Sequence, residues 1–180
     1  MFNFDFSQYA WLAQIIGSIG TVIMVIGMQQ KKYDHIVLCK IGNSFFSAVH
    51  YVLLGGWTGM MLNLASCFTN GVYWYRNKKG KSVLIFQILF GAMFVFLGAL
   101  SWHGTISIFV IVAKFISSVS LGINNPRIIR ILNLITNPCW LVYNIFMGSI
   151  PGMICDSVVT LSVLIAIIRL DILKKEESKT

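Results

Sequence analysis

The strongest constraint on this chain is that its apolar residues come in long unbroken runs. Stretches of mostly apolar residues occupy about 8–28, 35–55, 57–76, 82–100, 103–123, 128–148 and 151–171. A helix that crosses the hydrocarbon core of a bilayer needs roughly 20 such residues. The runs show no period-two alternation, so a membrane β-barrel is not the expected solution. The fold expected is all-α, a polytopic membrane protein with seven transmembrane helices. Three of the breaks rest on turn residues. GGWTG at 55–59, SWHG at 101–104 and GSIPG at 148–152 carry glycines and Pro151 between stretches that would otherwise merge.

Composition closes the soluble alternative. Of 180 residues, 57% are hydrophobic and 11% charged, against about 45–50% and about 25% in soluble domains. Such a chain lacks the polar surface to cover a water-exposed fold, whereas lipid solvates an apolar exterior. The N-terminal segment MFNFDFSQYA has Asp5 but no Lys or Arg, so the first run reads as a retained helix rather than a signal peptide.

The charges define a direction. Lys and Arg number 14 against 6 Asp and Glu, for a net charge of +8. On a soluble protein that excess would suggest nucleic acid, but here the basic residues lie between apolar runs, and no nucleic-acid partner is expected. Lys31 and Lys32 lie in the first connection, with Lys40 just inside the second helix. Arg76, Lys78, Lys79 and Lys81 accompany the third, Arg127 and Arg130 the fifth, and Arg169, Lys174, Lys175 and Lys179 the tail. With seven spans, thirteen of the fourteen basic residues fall on one side. The positive-inside rule makes that side cytoplasmic, with the N-terminus outside and the C-terminus in the cytoplasm. Trp11, Trp57 and Trp102 sit at the expected outer ends, and Tyr73, Trp74 and Tyr75 at an inner end, as interfacial aromatics do.

A shift of 93 residues aligns the chain with itself. GGWTGM at 55–60 falls on GSIPGM at 148–153, Asn63 on Asp156, His50 on Tyr143 and Arg76 on Arg169. With a two-residue gap, GMQQK at 27–31 meets GINNP at 122–126. The expected organisation is one membrane domain over 1–180. A three-helix repeat at 8–78 is followed by a linker helix at 81–100, a second repeat at 103–171 and a cytoplasmic tail at 172–180. Two such units run parallel, related by an axis along the membrane normal.

The segments WLAQIIG, GMQQKK, LLGGWTGMMLNL, NPCWLVYNIFMGSIPG and the closing IIR resemble the YgjV family of bacterial inner-membrane proteins, over about 11–170. More distantly, the chain resembles the PQ-loop, SWEET and PnuC group. That resemblance implies a three-plus-one-plus-three, SWEET-like bundle and cargo of the sugar, nucleoside or vitamin kind. The pattern departs at one point. PQ-loop proteins place Pro before Gln, but here Met28 precedes Gln29 and the second repeat has Asn124-Asn125-Pro126. This departure weighs against a proline hinge.

Polar groups within the spans are the candidate site, because they are costly in lipid and face the bundle interior or water. The substrate-binding candidates are Asn43, His50, Asn63, Lys114, Trp140, Tyr143, Asn144 and Asp156. Lys114 and Asp156 either contact solute or serve structure, Lys114 by reaching backbone carbonyls and Asp156 by sitting at a helix start. Trp140, near Pro138, either stacks on a ring or packs. Gln29, Asn70, Gln87 and Asn137 belong to the wider polar set. Cys39, Cys67, Cys139 and Cys155 form no CxxC or Cys/His spacing and read as packing residues. No Walker A loop, HExxH, GxSxG or CxxC is present. No enzyme activity, cofactor or metal is therefore expected.

The function expected is movement of a small polar solute by rocking of the two repeats. The alternative is a non-transporting membrane interaction or assembly protein. Self-association into a homo-oligomer is left open. The orientation has a direct test. A green fluorescent protein fused after Thr180 should fluoresce, and alkaline phosphatase fused there should stay inactive. The opposite pair of results would reverse the topology.

Overall fold

In a computed structural model of the chain, the structure describes residues 10–53, 57–100, 105, 107–146 and 150–173. Among these residues it is all-helical. Seven α-helices follow one another: α1 (Ala10–Met28), α2 (Tyr33–Leu53), α3 (Trp57–Lys78), α4 (Leu84–Leu100), α5 (Ser107–Gly122), α6 (Pro126–Phe146) and α7 (Ile150–Ala166). A π-helical segment, Ile167–Leu173, extends α7. Every helix falls within a few residues of an expected apolar run. The turns at 54–56, 101–104 and 147–149 lie outside the described residues, as do the side chains of Trp57 and Trp102 and the tail from 174.

By length and composition, three segments can cross a bilayer: Trp11–Met28, Tyr33–Leu53 and Gly152–Asp171. Leu84–Leu100 and Ile108–Gly122 are apolar but shorter. α3 and α6 are long enough, at 22 and 21 residues, but polar side chains interrupt them. Asn63, Ser66, Thr69 and Asn70 line one side of α3, and Asn133, Thr136, Asn137 and Asn144 one side of α6, and all of these are buried. The exposed faces are apolar instead, with Val22, Phe68, Ile85, Phe96, Ile135 and Leu161 among the outward side chains. The distribution is the inverse of a soluble protein's.

The sequence explains where several helices stop and start. α3 ends on Gly80, whose φ of 63° is the left-handed conformation that glycine adopts without penalty. The Lys81 amide donates to the Arg76 carbonyl at 2.9 Å and the Gly80 amide to the Asn77 carbonyl at 3.0 Å. Those are the two bonds of a Schellman cap. The Arg76 guanidinium then reaches forward to the Ser82 carbonyl. At α6, the Asn125 Oδ1 accepts from the amides of Arg127 and Ile128, at 3.0 and 3.4 Å. Asn125 is thus an N-cap and Pro126 the first helical residue, where its missing N–H costs nothing. The Asn-Asn-Pro triplet starts a helix rather than hinging one. Pro138, by contrast, lies inside α6 and deprives the Leu134 carbonyl of its helical donor.

The helices pack in sequence order, α1 on α2 on α3, and α4 on α5 on α6 on α7. The bundle closes where α1 meets α7 and α3 meets α5. The connections rich in Lys and Arg share one end, here termed the basic end. There an apolar core of Met28, Tyr33, Ile36, Val37, Tyr73, Leu121, Ile129 and Val163 fills the interior.

Two polar latches cross this core. The Tyr33 hydroxyl donates to the Leu121 carbonyl at 2.6 Å, tying the start of α2 to the end of α5, and the Asn77 amide donates to the Tyr33 oxygen at 2.6 Å. Arg130 of α6 donates to the Met28 and Gln30 carbonyls at 3.4 and 3.1 Å, and pairs with Asp171 at 3.3 Å. Its side chain is only 2% exposed. The sequence reading counted Arg130 among the connection residues that set orientation. In the structure it stays at the basic end and also satisfies carbonyls that α1 leaves open at its C-terminus.

Breaking a buried ion pair from one side costs about 3–5 kcal/mol, because the other charge stays buried without compensation. Arg130→Met should therefore lower the thermal midpoint sharply in detergent, and adding Asp171→Leu should restore part of the loss. A double variant no more stable than the single one would show that the pair is not what Arg130 supplies.

Candidate functional site: a polar cavity among the helices

The buried polar faces enclose a cavity of about 210 Å³ to which all seven helices contribute. Helical periodicity builds it, since residues three, four and seven apart share a face. α1 offers Gln14, Ser18 and Thr21, and α2 offers Lys40, Asn43, Ser47 and His50. α3 brings Asn63, Ser66 and Asn70, and α5 brings Lys114, Ser117 and Ser118. α6 adds Asn133, Asn137, Trp140 and Asn144, and α7 adds Asp156.

Of the eight residues singled out from sequence, Asn43, His50, Asn63, Lys114, Trp140, Asn144 and Asp156 line this one space. Tyr143 is not among the lining residues. It packs edge-on against Trp140, with ring centroids 6.1 Å apart.

The charged groups and His50 each have a defined partner. The Lys114 Nζ donates to the Ser66 Oγ at 2.9 Å. Ser66 can accept because its own hydroxyl proton goes to the Leu62 carbonyl at 2.7 Å. Lys114 also lies 5.4 Å from the centre of the Trp140 ring, within cation–π range. The Asp156 Oδ2 accepts from the Asn144 Nδ2 at 2.8 Å. Lys114 and Asp156 therefore do not form an ion pair, and Asp156 is held by a side-chain amide from α6 well inside α7, not by the amides at the helix start. The His50 Nδ1–H donates to the Ala13 carbonyl at 2.7 Å, which leaves Nε2 for other contacts.

Two glycines make room for this network. A Cβ on Gly17 would stand 2.8 Å from the His50 ring, and one on Gly152 would stand 2.6 Å from the Asn144 side chain. Only glycine lets α1 and α7 come this close to those side chains.

Sequence reasoning missed one charged residue. It placed Lys40 just inside the second helix and used it only as an orientation signal. In the structure Lys40 lies seven residues into α2, ~10 Å along the helix axis, is 5% exposed and lines the cavity. Its Nζ donates to the Asn133 Oδ1 at 3.0 Å, while the Asn133 Nδ2 is held by the Ile129 carbonyl at 2.7 Å. The signal was there in the periodicity. Lys40, Ser44, Ser47 and Tyr51 recur at helical spacing with Asn43 and His50 beside them, which marks one polar stripe rather than a helix end. Asn137, named only in the wider set, proves to be a buried lining residue whose Nδ2 has no acceptor among the described residues.

Among the described residues, no group of three or more His, Cys, Asp and Glu side chains comes together to hold a metal ion. The chemistry on offer is hydrogen bonding and charge, from amides, hydroxyls, two ammonium groups and one carboxylate.

A family model for bacterial inner membrane proteins, Imp-YgjV, matches residues 11–174. The chain belongs to the Imp-YgjV family. The match covers all of α2 to α7 and all of α1 but its first residue, so the cavity lies within the family's own extent. It also gives the apolar exterior its setting, the bacterial inner membrane. No curated protein and no solved structure matches the chain.

In this Imp-YgjV protein the Asn144–Asp156 contact is the most exacting of the site. Asn144→Ala leaves the carboxylate without its described donor, at a cost of about 1–3 kcal/mol. A lowered thermal midpoint is expected, with the loss largely reversed by Asp156→Asn in the same chain. A midpoint unchanged by Asn144→Ala would show that solvent already serves Asp156.

Proposed function

We propose that the protein moves a small polar solute across the bacterial inner membrane through this cavity. The observation that carries the reading is the cavity itself. A chain with an apolar exterior gathers polar side chains from six of its seven helices into one space of about 210 Å³, with Phe94 the contribution of α4, below the 300–1,000 Å³ typical of sites for drug-sized ligands. A small metabolite suits that volume. Structure alone would be served more cheaply by apolar packing, since interhelical hydrogen bonds in membranes average only about 0.6 kcal/mol each.

The expected three-plus-one-plus-three plan supports an alternating mechanism. α5, α6 and α7 repeat the neighbour relations of α1, α2 and α3, and the crossed contacts α1 with α7 and α3 with α5 are equivalent under exchange of the two units. Lys40 and Asn133, which bond across the cavity, lie 93 residues apart, the same offset that aligns the repeats. On this plan all seven helices span the membrane, and α4 returns the chain so that both units run parallel. The latches made by Tyr33 and Arg130 each join one unit to the other at the basic end. Rocking opens that end when they release. The SWEET-like resemblance favours the same motion, and on this reading the protein carries solute and catalyses no reaction.

The test is uptake into proteoliposomes containing the full chain, with sugars, nucleosides, vitamins and amino acids as candidates. Saturable flux is expected, reduced at least about tenfold by Asp156→Ala or Lys114→Ala, the loss of one charge-assisted hydrogen bond. Wild-type protein inert to the whole panel, but purifying with a stoichiometric membrane partner, would favour an assembly role instead.

A further inference from the structure

The charge inside the cavity narrows what it can hold. This inference rests on the reading of the cavity as a solute site. Three charged side chains line it: Lys40, Lys114 and Asp156. Removing an ammonium group from water is costly, and proteins normally offset the cost with a carboxylate. Neither lysine has one. Among the described residues the ion pair is Arg130 with Asp171, at the basic end and outside the cavity lining. Lys40 has the neutral Asn133 oxygen and Lys114 the neutral Ser66 oxygen. Asp156, which could have served either lysine, is engaged by Asn144.

The donor count points the same way. An ammonium group carries three N–H donors, so each lysine has two beyond its described hydrogen bond. The Asn137 Nδ2, buried in the same lining, has no acceptor among the described residues. The two groups that already accept from the lysines have no proton or amide atom left to offer. Asn133 already spends its nitrogen on the Ile129 carbonyl and its oxygen on Lys40. Ser66 spends its proton on the Leu62 carbonyl. The cavity therefore has unspent donors and net positive charge, and what it lacks is a set of negatively charged acceptor oxygens.

We infer that the cavity binds a small anion, a carboxylate or phosphate-type group held between Lys40 and Lys114 with Asn137 as a further donor. A neutral sugar or nucleoside would leave both ammonium groups uncompensated. An anion supplies the missing acceptor atoms and the missing charge together, and charge-assisted bonds of this kind are roughly twice as strong as neutral ones. Trp140, beside Lys114, would form an apolar wall against the rest of the molecule.

The experiment compares an acid with its neutral isostere on the full chain in nanodiscs of phosphatidylcholine, a lipid without net charge. Lactate, lactamide and inorganic phosphate are titrated at constant ionic strength against sodium chloride, with the thermal midpoint as readout. Lactate or phosphate should raise the midpoint saturably, while lactamide binds at least about tenfold more weakly, the worth of one charge-assisted bond. Lactate alone responding assigns a carboxylate, and phosphate alone a phosphoryl group. Lys114→Gln and Lys40→Gln should each weaken the effect about tenfold or more, and Lys114→Arg should retain part of it. The contrast between acid and amide in the wild-type protein stands even if a variant fails to fold. Equal shifts from lactate and lactamide, or no shift from either anion, would overturn the inference. Flux separates it from the reading beneath it. An anion that binds but is not taken up into proteoliposomes refutes transport and leaves the site. Saturable flux of a neutral sugar with no anion effect refutes the anion site and leaves transport.

Discussion

A bundle with an apolar exterior has only its interior in which to place polar side chains, and each one placed there is costly unless it finds a partner. That constraint organises this molecule. Asn144 serves Asp156, Ser66 serves Lys114, Asn133 serves Lys40 and the Ala13 carbonyl serves His50. In each case the acceptor or donor comes from another helix, so the polar network also sets how the helices are arranged. Apolar contacts between helices carry little directional information in lipid, where the surroundings are as apolar as the side chains. Hydrogen bonds between specific atoms supply it. The glycines at 17 and 152 follow from the same requirement, because a network of short bonds needs backbones close enough to form them.

The two ends of the bundle differ in kind. At the basic end the interior is filled by Met28, Ile36, Val37, Tyr73 and Leu121, and the helix termini are bound together by Tyr33, Asn77, Arg130 and Asp171. Open backbone carbonyls at the ends of α1 and α5 are the acceptors, so helix termination and closure of the interior are one event here. The cavity lies above this core and draws on side chains rather than backbone. Closure and binding thus depend on separate sets of residues. A change that weakens the latch need not touch any side chain lining the cavity.

Much of the fold was legible because it rests on local rules. Run length gave the helices, and glycine with proline gave their breaks. The stop at Gly80 and the start at Asn125-Pro126 rest on equally local rules, although only the structure brought them out. Seven of the eight candidate residues share one cavity because polar residues in apolar helices have few other places to go. The failures have one source. Lys40 and Arg130 were assigned by their nearness to a connection, although a residue a turn or two inside a helix is placed by the face it occupies. Helical periodicity resolves Lys40. Nothing local resolves Arg130, whose partners lie 41 and about 100 residues away along the chain. Tyr143 was chosen as the counterpart of His50, but its ring packs on Trp140 and does not reach the cavity lining.

The π-helical segment after α7 sets a phase. A regular α-helix turns by roughly 100° per residue, so the wider π turn shifts every side chain beyond Ala166 around the axis relative to an uninterrupted α7. Asp171 faces Arg130 from within that shifted stretch. The angular position of the only acidic partner for Arg130 among the described residues is therefore held in a backbone irregularity, not in the identity of any one side chain. A single residue lost or gained between 167 and 171 would swing the carboxylate away with every contact residue still present. Length in this short segment is as much a part of the site's chemistry as sequence.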